Sequence, residues 1–196
     1  MRRIELSDGA YLEWTQAWLP PREADRALAL LQTEVDFQAR AIRVFGREVL
    51  QPRLVCWVGD ADAVYTYSGV RHVPAPWTPT LRALRERLER ELALPFNSVL
   101  CNLYRDGRDS MGMHSDSEPE LGRHPVVASL SLGATRRLVL KPKKHASGVG
   151  LDLPLEHGAL LVMRGTSQDF YRHGIPKLAS AVGPRINLTF RRVQSA

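Results

Sequence analysis

From about Ser98 to its end the chain breaks into short runs in which apolar and polar residues alternate: SVLCNLY, VVASLSLG, RRLVLKP, ALLVM and RINLTFRR, each bounded by turn residues. A period of two sends successive side chains to opposite faces of an extended strand, so this half is restricted to β-structure. Earlier strand candidates are RAIRVFG, EVLQP, LVCWV and VYTYSG. Two segments carry the helical period instead. After Pro20 and Pro21, the residues Ala24, Ala27, Leu28, Leu31 and Val35 form one apolar stripe. A second helix is predicted from Thr78 as N-cap, with Pro79 in the first turn and Leu81, Leu84, Leu88 and Leu92 on one face. The expected class is mainly β (α+β): a double-sheet jelly roll buttressed by two N-terminal helices.

At 196 residues the chain fits a single domain, with no internal repeat or linker. Lys and Arg number 27 against 21 Asp and Glu, a net charge of +6 that favours polyanionic partners. The N-terminus MRRIELSDGAYLEW has no apolar signal-peptide core, and no run is long enough to span a membrane. A cytoplasmic location, no membrane association and no obligate protein partner are therefore expected. Cys56 and Cys101 lie far apart, inside LVCWV and VLCNLY, and are predicted to be buried free thiols.

The sharpest chemical feature is His114-Ser115-Asp116. Residues two apart on an extended segment project to the same side and can grip one ion together, and His173 supplies a second imidazole later in the chain. Two imidazoles and one carboxylate on one face of a metal leave other positions free, which suits non-haem Fe(II). Zinc accepts the same ligands, so a zinc hydrolase is an open alternative. In RINLTFRR, Arg185, Asn187, Thr189 and Arg191 alternate with Ile186, Leu188 and Phe190, giving one cationic, polar face. Arg185 and Arg191 would stand roughly 20 Å apart on a straight strand, a separation that suits long guanidinium groups leaning in on an elongated dianion. A zinc hydrolase has no need of them. Asn102 and Tyr104 form another same-face polar pair in SVLCNLY, open both to ligand binding and to structural hydrogen bonding. A non-catalytic nucleic-acid binder would explain the charge but leave the His-Asp-His set without a purpose.

In the order NLY, HSD, His173, RINLTFR, these motifs resemble the AlkB family of nucleic-acid dealkylases, over about Val44 to Val193. The resemblance implies a double-stranded β-helix, another name for the jelly roll, with residues 98–196 as catalytic core and residues 1–97 supplying helices and a nucleotide-recognition lid. It implies Fe(II) on His114, Asp116 and His173. It also implies 2-oxoglutarate held by Arg185, with Asn102, Tyr104, Asn187, Thr189 and Arg191 around it, and O2 as the second cosubstrate. The implied reaction hydroxylates the alkyl group of bases such as 1-methyladenine or 3-methylcytosine and releases formaldehyde. The expected partner is alkylated DNA, single- or double-stranded, with RNA as the alternative.

For the base, the resemblance places Tyr65, Tyr67 and Ser68 in the lid, with Tyr67 stacking on the flipped base and Glu118 at the base edge. Val44-Phe45-Gly46 lies between two strand-like runs, as a hairpin tip would, and resembles the duplex-probing finger of members that work on double-stranded DNA. Such members carry a basic run after the second metal histidine, where HGIPKLASAVGP has only Lys177. Lys141, Lys143, Lys144 and His145 form a compact basic turn that could contact phosphate instead.

Overall fold

The computed structural model describes residues 1–44, 47–67 and 70–194; the side chains of residues 42–44, 47, 65–67 and 70–72 lie outside that description. The N-terminal half carries β1 (Arg2–Glu5), β2 (Ala10–Thr15), α1 (Pro21–Glu34), β3 (Gln38–Val44), β4 (Arg47–Gly59), β5 (Tyr65–Tyr67), β6 (Val70–His72) and α2 (Pro79–Leu92). The C-terminal half follows with β7 (Ser98–Tyr104), β8 (Met111–His114), β9 (Val127–Gly133), β10 (Arg136–Pro142), β11 (Leu151–Leu155), β12 (Leu160–Gly165), α3 (Ser167–Phe170), β13 (Tyr171–Ile175) and β14 (Arg185–Arg191).

Strands β7 to β14 divide evenly between two antiparallel sheets. The larger sheet runs β1-β2-β12-β9-β14-β7-β4-β3, the smaller β11-β10-β13-β8. Four consecutive members of each, β12-β9-β14-β7 against β11-β10-β13-β8, make the jelly roll. The N-terminal half does more than buttress it. β1 and β2 extend one edge of the larger sheet and β3 and β4 the other, while β5 and β6 pair separately. The β1–β2 turn places Asp8 and Gly9 at φ +61° and +80°, the left-handed pair that matches a tight hairpin to strand twist. β4 merges the two candidates EVLQP and LVCWV. Pro52 is tolerated within it because the β3 ladder skips from Ala41↔Leu50 to Ala39↔Leu54 and the β7 ladder begins only at Leu54.

Two cores result. One lies outside the larger sheet, where Ala24, Ala27 and Leu31 of α1 and the four leucines of α2 cover Val99, Leu130, Ile186, Leu188 and Phe190. Burying each α2 leucine contributes about 2 kcal/mol. Thr78 caps α2 by accepting from the Leu81 N–H at 3.4 Å, as the sequence predicts. The other core, between the sheets, contains Leu12, Tyr104, Leu138, Leu140, Leu161 and Tyr171. Cys101 is fully buried as expected, whereas Cys56 is only half-buried. Among the described residues, no helix is long and apolar enough to cross a membrane.

Candidate active site

β8 ends on His114, and β13 carries His173 opposite it, their Cα atoms paired across the antiparallel ladder. Paired residues project to the same face, and the imidazole centroids come within 4.3 Å. Asp116, two residues beyond His114, returns to that side. Its carboxylate lies 3.7 Å from His114 Nε2 and 3.9 Å from His173 Nε2. The β8–β13 register shifts just after His173, at Gly174. A Cβ on Gly174 would stand 2.9 Å from the Met111 carbonyl oxygen, so glycine is what lets the strands close up beside the ligands.

Each ligand is prepared by its surroundings. His114 Nδ1 lies 3.0 Å from the Gly112 carbonyl, which can only accept; Nδ1 is therefore the donor there, and Nε2 is the nitrogen left to face an ion. Burial, and then the neighbouring His114, push His173 down to about 3, leaving it neutral at ordinary pH. Burial would raise Asp116, but Arg191 and the two histidines outweigh it and hold the carboxyl at about 2. Arg191 Nη2 donates to Asp116 Oδ1 at 2.9 Å, while Oδ2 is buried with no hydrogen-bond partner. The Asp116 backbone N–H donates to Gln168 Oε1 at 2.9 Å, and Ser115 Oγ donates to the Tyr171 carbonyl at 2.8 Å. These two bonds fix the strand end that carries the ligands.

β14 lies between β7 and β9, paired Arg185↔Tyr104 and Asn187↔Asn102 on one side, Asn187↔Ser131 and Thr189↔Ser129 on the other. Both its faces are buried. The polar face is not solvated; it looks between the sheets, where Tyr104, Arg185, Asn187, Thr189 and Arg191 line a small enclosed cavity of about 30 Å³ with His114 and His173. Arg185 donates to Ser131 Oγ at 2.8 Å, but its Nε and Nη1 and the Tyr104 hydroxyl are buried without hydrogen-bond partners. Burial lowers Arg185 to about 10; the Tyr104 hydroxyl, near enough to interact with the guanidinium though not in good hydrogen-bond geometry, opposes this, and the charge of Arg136 adds to it. Asn187 donates to Ser129 Oγ at 2.8 Å and accepts from Thr189 at 3.1 Å. Asn102 is not among the residues lining this cavity; its oxygen accepts from Arg53 Nε at 2.7 Å. Arg191, bonded to Asp116, does not mirror Arg185 as a second free anchor.

A larger cavity of about 440 Å³ adjoins the triad, lined by Gln38, Arg53, Trp57, His114, Asp116, Glu118 and Arg191. Glu118 Oε2 is buried there without a partner. Phe45 and Ser68, and the side chains of Tyr65 and Tyr67, lie outside the described residues. In the basic turn Lys143 Nζ donates to the Gln168 carbonyl at 2.8 Å, leaving Lys141, Lys144 and His145 exposed. The sequence reading did not single out Arg53, Ser129, Ser131, Arg136 or Gln168. Only the serines carried a signal, two polar residues in phase on an apolar strand.

The family model of the 2OG-Fe(II) oxygenase superfamily matches residues 11–191. The chain belongs to this superfamily. Within it, the chain is similar to the human alpha-ketoglutarate-dependent dioxygenase alkB homolog 3, at 42% identity over 180 residues, covering 88% of this chain and 62% of the relative. Human DNA oxidative demethylase ALKBH2 is 36% identical over 182 residues, covering 87% and 69%. The chain thus spans 62% of the length of the alkB homolog 3 relatives it matches. Among solved structures, OsALKBH1 superposes with a TM-score of 0.59 at 19% identity over 97% of this chain and all of that one, a likeness of fold. AlkB family membership, expected from the motif order, is thereby established.

The residues of this chain fit the superfamily's iron and cosubstrate. One ligand atom from each of His114, Asp116 and His173 lies within 4.8 Å of the others, and an ion held by them would answer the orphaned Asp116 carboxylate. The unpartnered Arg185 nitrogens and Tyr104 hydroxyl are what a carboxylate would satisfy.

Proposed function

We propose that this protein removes alkyl groups oxidatively from N-alkylated bases of the 1-methyladenine and 3-methylcytosine type in DNA, using Fe(II), 2-oxoglutarate and O2. The observation that carries this reading is that the two cavities meet at the triad: Met111, His114 and Arg191 line both. Cosubstrate and base would thus approach one ion from two sides. A zinc hydrolase would use the triad but leave the Arg185 cavity without a ligand.

The chain's residues divide the work. Arg185, held by Ser131, receives the distal carboxylate of 2-oxoglutarate, and Tyr104 supplies a second donor. Arg191 keeps Asp116 ionised and aimed, and Gln168 fixes its backbone. Glu118, with a free carboxylate oxygen, accepts from the amino edge of an extruded base in the larger cavity. When bound, iron with its cosubstrates supplies the oxidising power that hydroxylates the alkyl carbon. A hydroxymethyl group on a ring nitrogen then falls apart, the N–C bond breaking to give formaldehyde and the unmodified base still in its strand. The net charge of +6 suits a polyanionic substrate, and Phe45 would fill the gap in a duplex left by the extruded base.

The test is anaerobic reconstitution with Fe(II), then addition of O2, 2-oxoglutarate and oligonucleotides bearing 1-methyladenine or 3-methylcytosine, as single- and double-stranded DNA and as RNA. Loss of the methyl mass from DNA supports the reading. A folded, iron-loaded protein that repairs none of these strands refutes it.

A further inference from the structure

Arg136 and Arg185 are the two largest fully buried side chains among the described residues. Arg136 opens β10 in phase with Leu138 and Leu140, a position where alternation calls for an apolar residue. Its Nη1 donates to the Asp106 carbonyl at 3.1 Å and its Nη2 to the carbonyls of Asp109 at 2.8 Å and Pro176 at 2.7 Å. These acceptors are neutral. The nearby carboxylates are taken elsewhere, Asp109 by Arg105 at 2.9 Å and Asp106 by Arg108 at 2.7 Å. Arg136 therefore clamps the β7–β8 connection and the chain leaving β13 while its charge is only partly offset.

The clamp stands directly behind the cosubstrate cavity. The guanidinium carbon of Arg136 lies 5.4 Å from the centroid of the Tyr104 ring, and that of Arg185 lies 5.0 Å from the same centroid. One buried aromatic ring thus serves two buried cations, whose mutual repulsion is relieved only in part by the ring quadrupole. Gly133, at φ +93°, lets β9 turn tightly against the start of β14, with a would-be Cβ 2.4 Å from the Pro184 carbonyl oxygen, and so brings the starts of β10 and β14 together. A ligand with one carboxylate at the metal and another at Arg185 brings the second negative charge to this excess.

Resting on the reading that the Arg185 cavity takes 2-oxoglutarate, we infer that Arg136 is a positioning residue for the cosubstrate: it holds Tyr104 and supplies a second positive charge that selects a dicarboxylate over a monocarboxylate keto acid. Arg136 touches no reacting atom. It acts through Tyr104 and through the field around Arg185.

The test uses the full chain loaded with Mn(II), which does not turn over, and measures binding of 2-oxoglutarate and of 2-oxopentanoate, the keto acid of equal length lacking the distal carboxylate, by calorimetry. Arg136→Gln removes the charge and keeps one amide nitrogen as donor; Arg136→Lys keeps the charge. In Arg136→Gln, 2-oxoglutarate is expected to weaken about tenfold, the size of one unit charge acting across about 12 Å at an effective dielectric near 20. Binding of 2-oxopentanoate should change less than about twofold, and Arg136→Lys should recover most of the loss, because the charge is what the proposed role requires. Equal losses for both acids, no loss, or a lysine variant as weak as the glutamine variant would each overturn the inference while leaving the cosubstrate reading intact. A wild-type protein that binds neither acid, or both equally, overturns that reading and the inference with it.

Discussion

Arg191→Met removes the guanidinium whose Nη2 donates to Asp116 Oδ1 at 2.9 Å, in a pair with side-chain exposures of only 8% and 5%. Asp116 Oδ2 already lacks a partner, so the variant leaves a buried carboxylate with little but the Gln168 anchor on its backbone. Breaking a buried ion pair from one side destabilises by about 3–5 kcal/mol. In a chain of this size each kcal/mol moves the melting temperature by about 2–4 °C, so the metal-free variant should melt about 6–20 °C below wild type in a calorimetric scan. Adding Asp116→Asn to Arg191→Met should return part of that loss, since no buried charge then remains. Saturating Mn(II) should also return part of it in the single variant, because the ion takes over the charge. The sign with pH follows from the depressed Asp116. In the metal-free wild type, its contribution is present above the ordinary carboxylate range and fades as pH falls towards about 2. In Arg191→Met, where burial is opposed by less, the fading should begin at higher pH. A metal-free variant melting within about 2 °C of wild type would refute the reasoning.

Other substitutions separate the parts of the site. Arg185→Met should raise the 2-oxoglutarate requirement about a hundredfold while leaving Mn(II) affinity within about threefold; unchanged cosubstrate dependence would count against its role. Gln168→Leu leaves the Asp116 N–H unanswered and should weaken metal binding about tenfold, measured by Mn(II) titration, and unaltered affinity would show that the Asp116 backbone needs no such anchor. Phe45→Ala should lower repair of duplex DNA much more than of single strands, and equal losses on both would argue against a wedge.

Much of the fold and the centre of the site were legible in sequence because they depend on short-range periods. The spacing His114-Ser115-Asp116 and the alternation in RINLTFRR each encode a face. What alternation leaves undecided is where that face points, so the polar side of β14 emerged as the interior of the jelly roll only once β7 and β9 were paired with it. The N-terminal hairpin carried a readable signal, Asp8-Gly9 between alternating runs, and its place on the edge of the larger sheet was fixed by pairing with distant β12. β13 is five residues long and contains His173 and Gly174, too interrupted for a strand pattern. The supporting residues were out of reach for a related reason: Arg53 meets Asn102, Gln168 meets Asp116 and Arg136 meets Pro176 only through tertiary contacts. Asn102 accepts from Arg53, a partner no local pattern could supply.

The most direct test of the central claim is the stoichiometry of a single assay. The iron-loaded protein is given O2, 2-oxoglutarate and a DNA oligonucleotide carrying one 1-methyladenine, and succinate, formaldehyde and unmodified adenine are measured together. The three are expected to rise in equal amounts and to vanish in His173→Ala. Succinate formed at the same rate with and without the methylated strand, and no formaldehyde, would contradict the account.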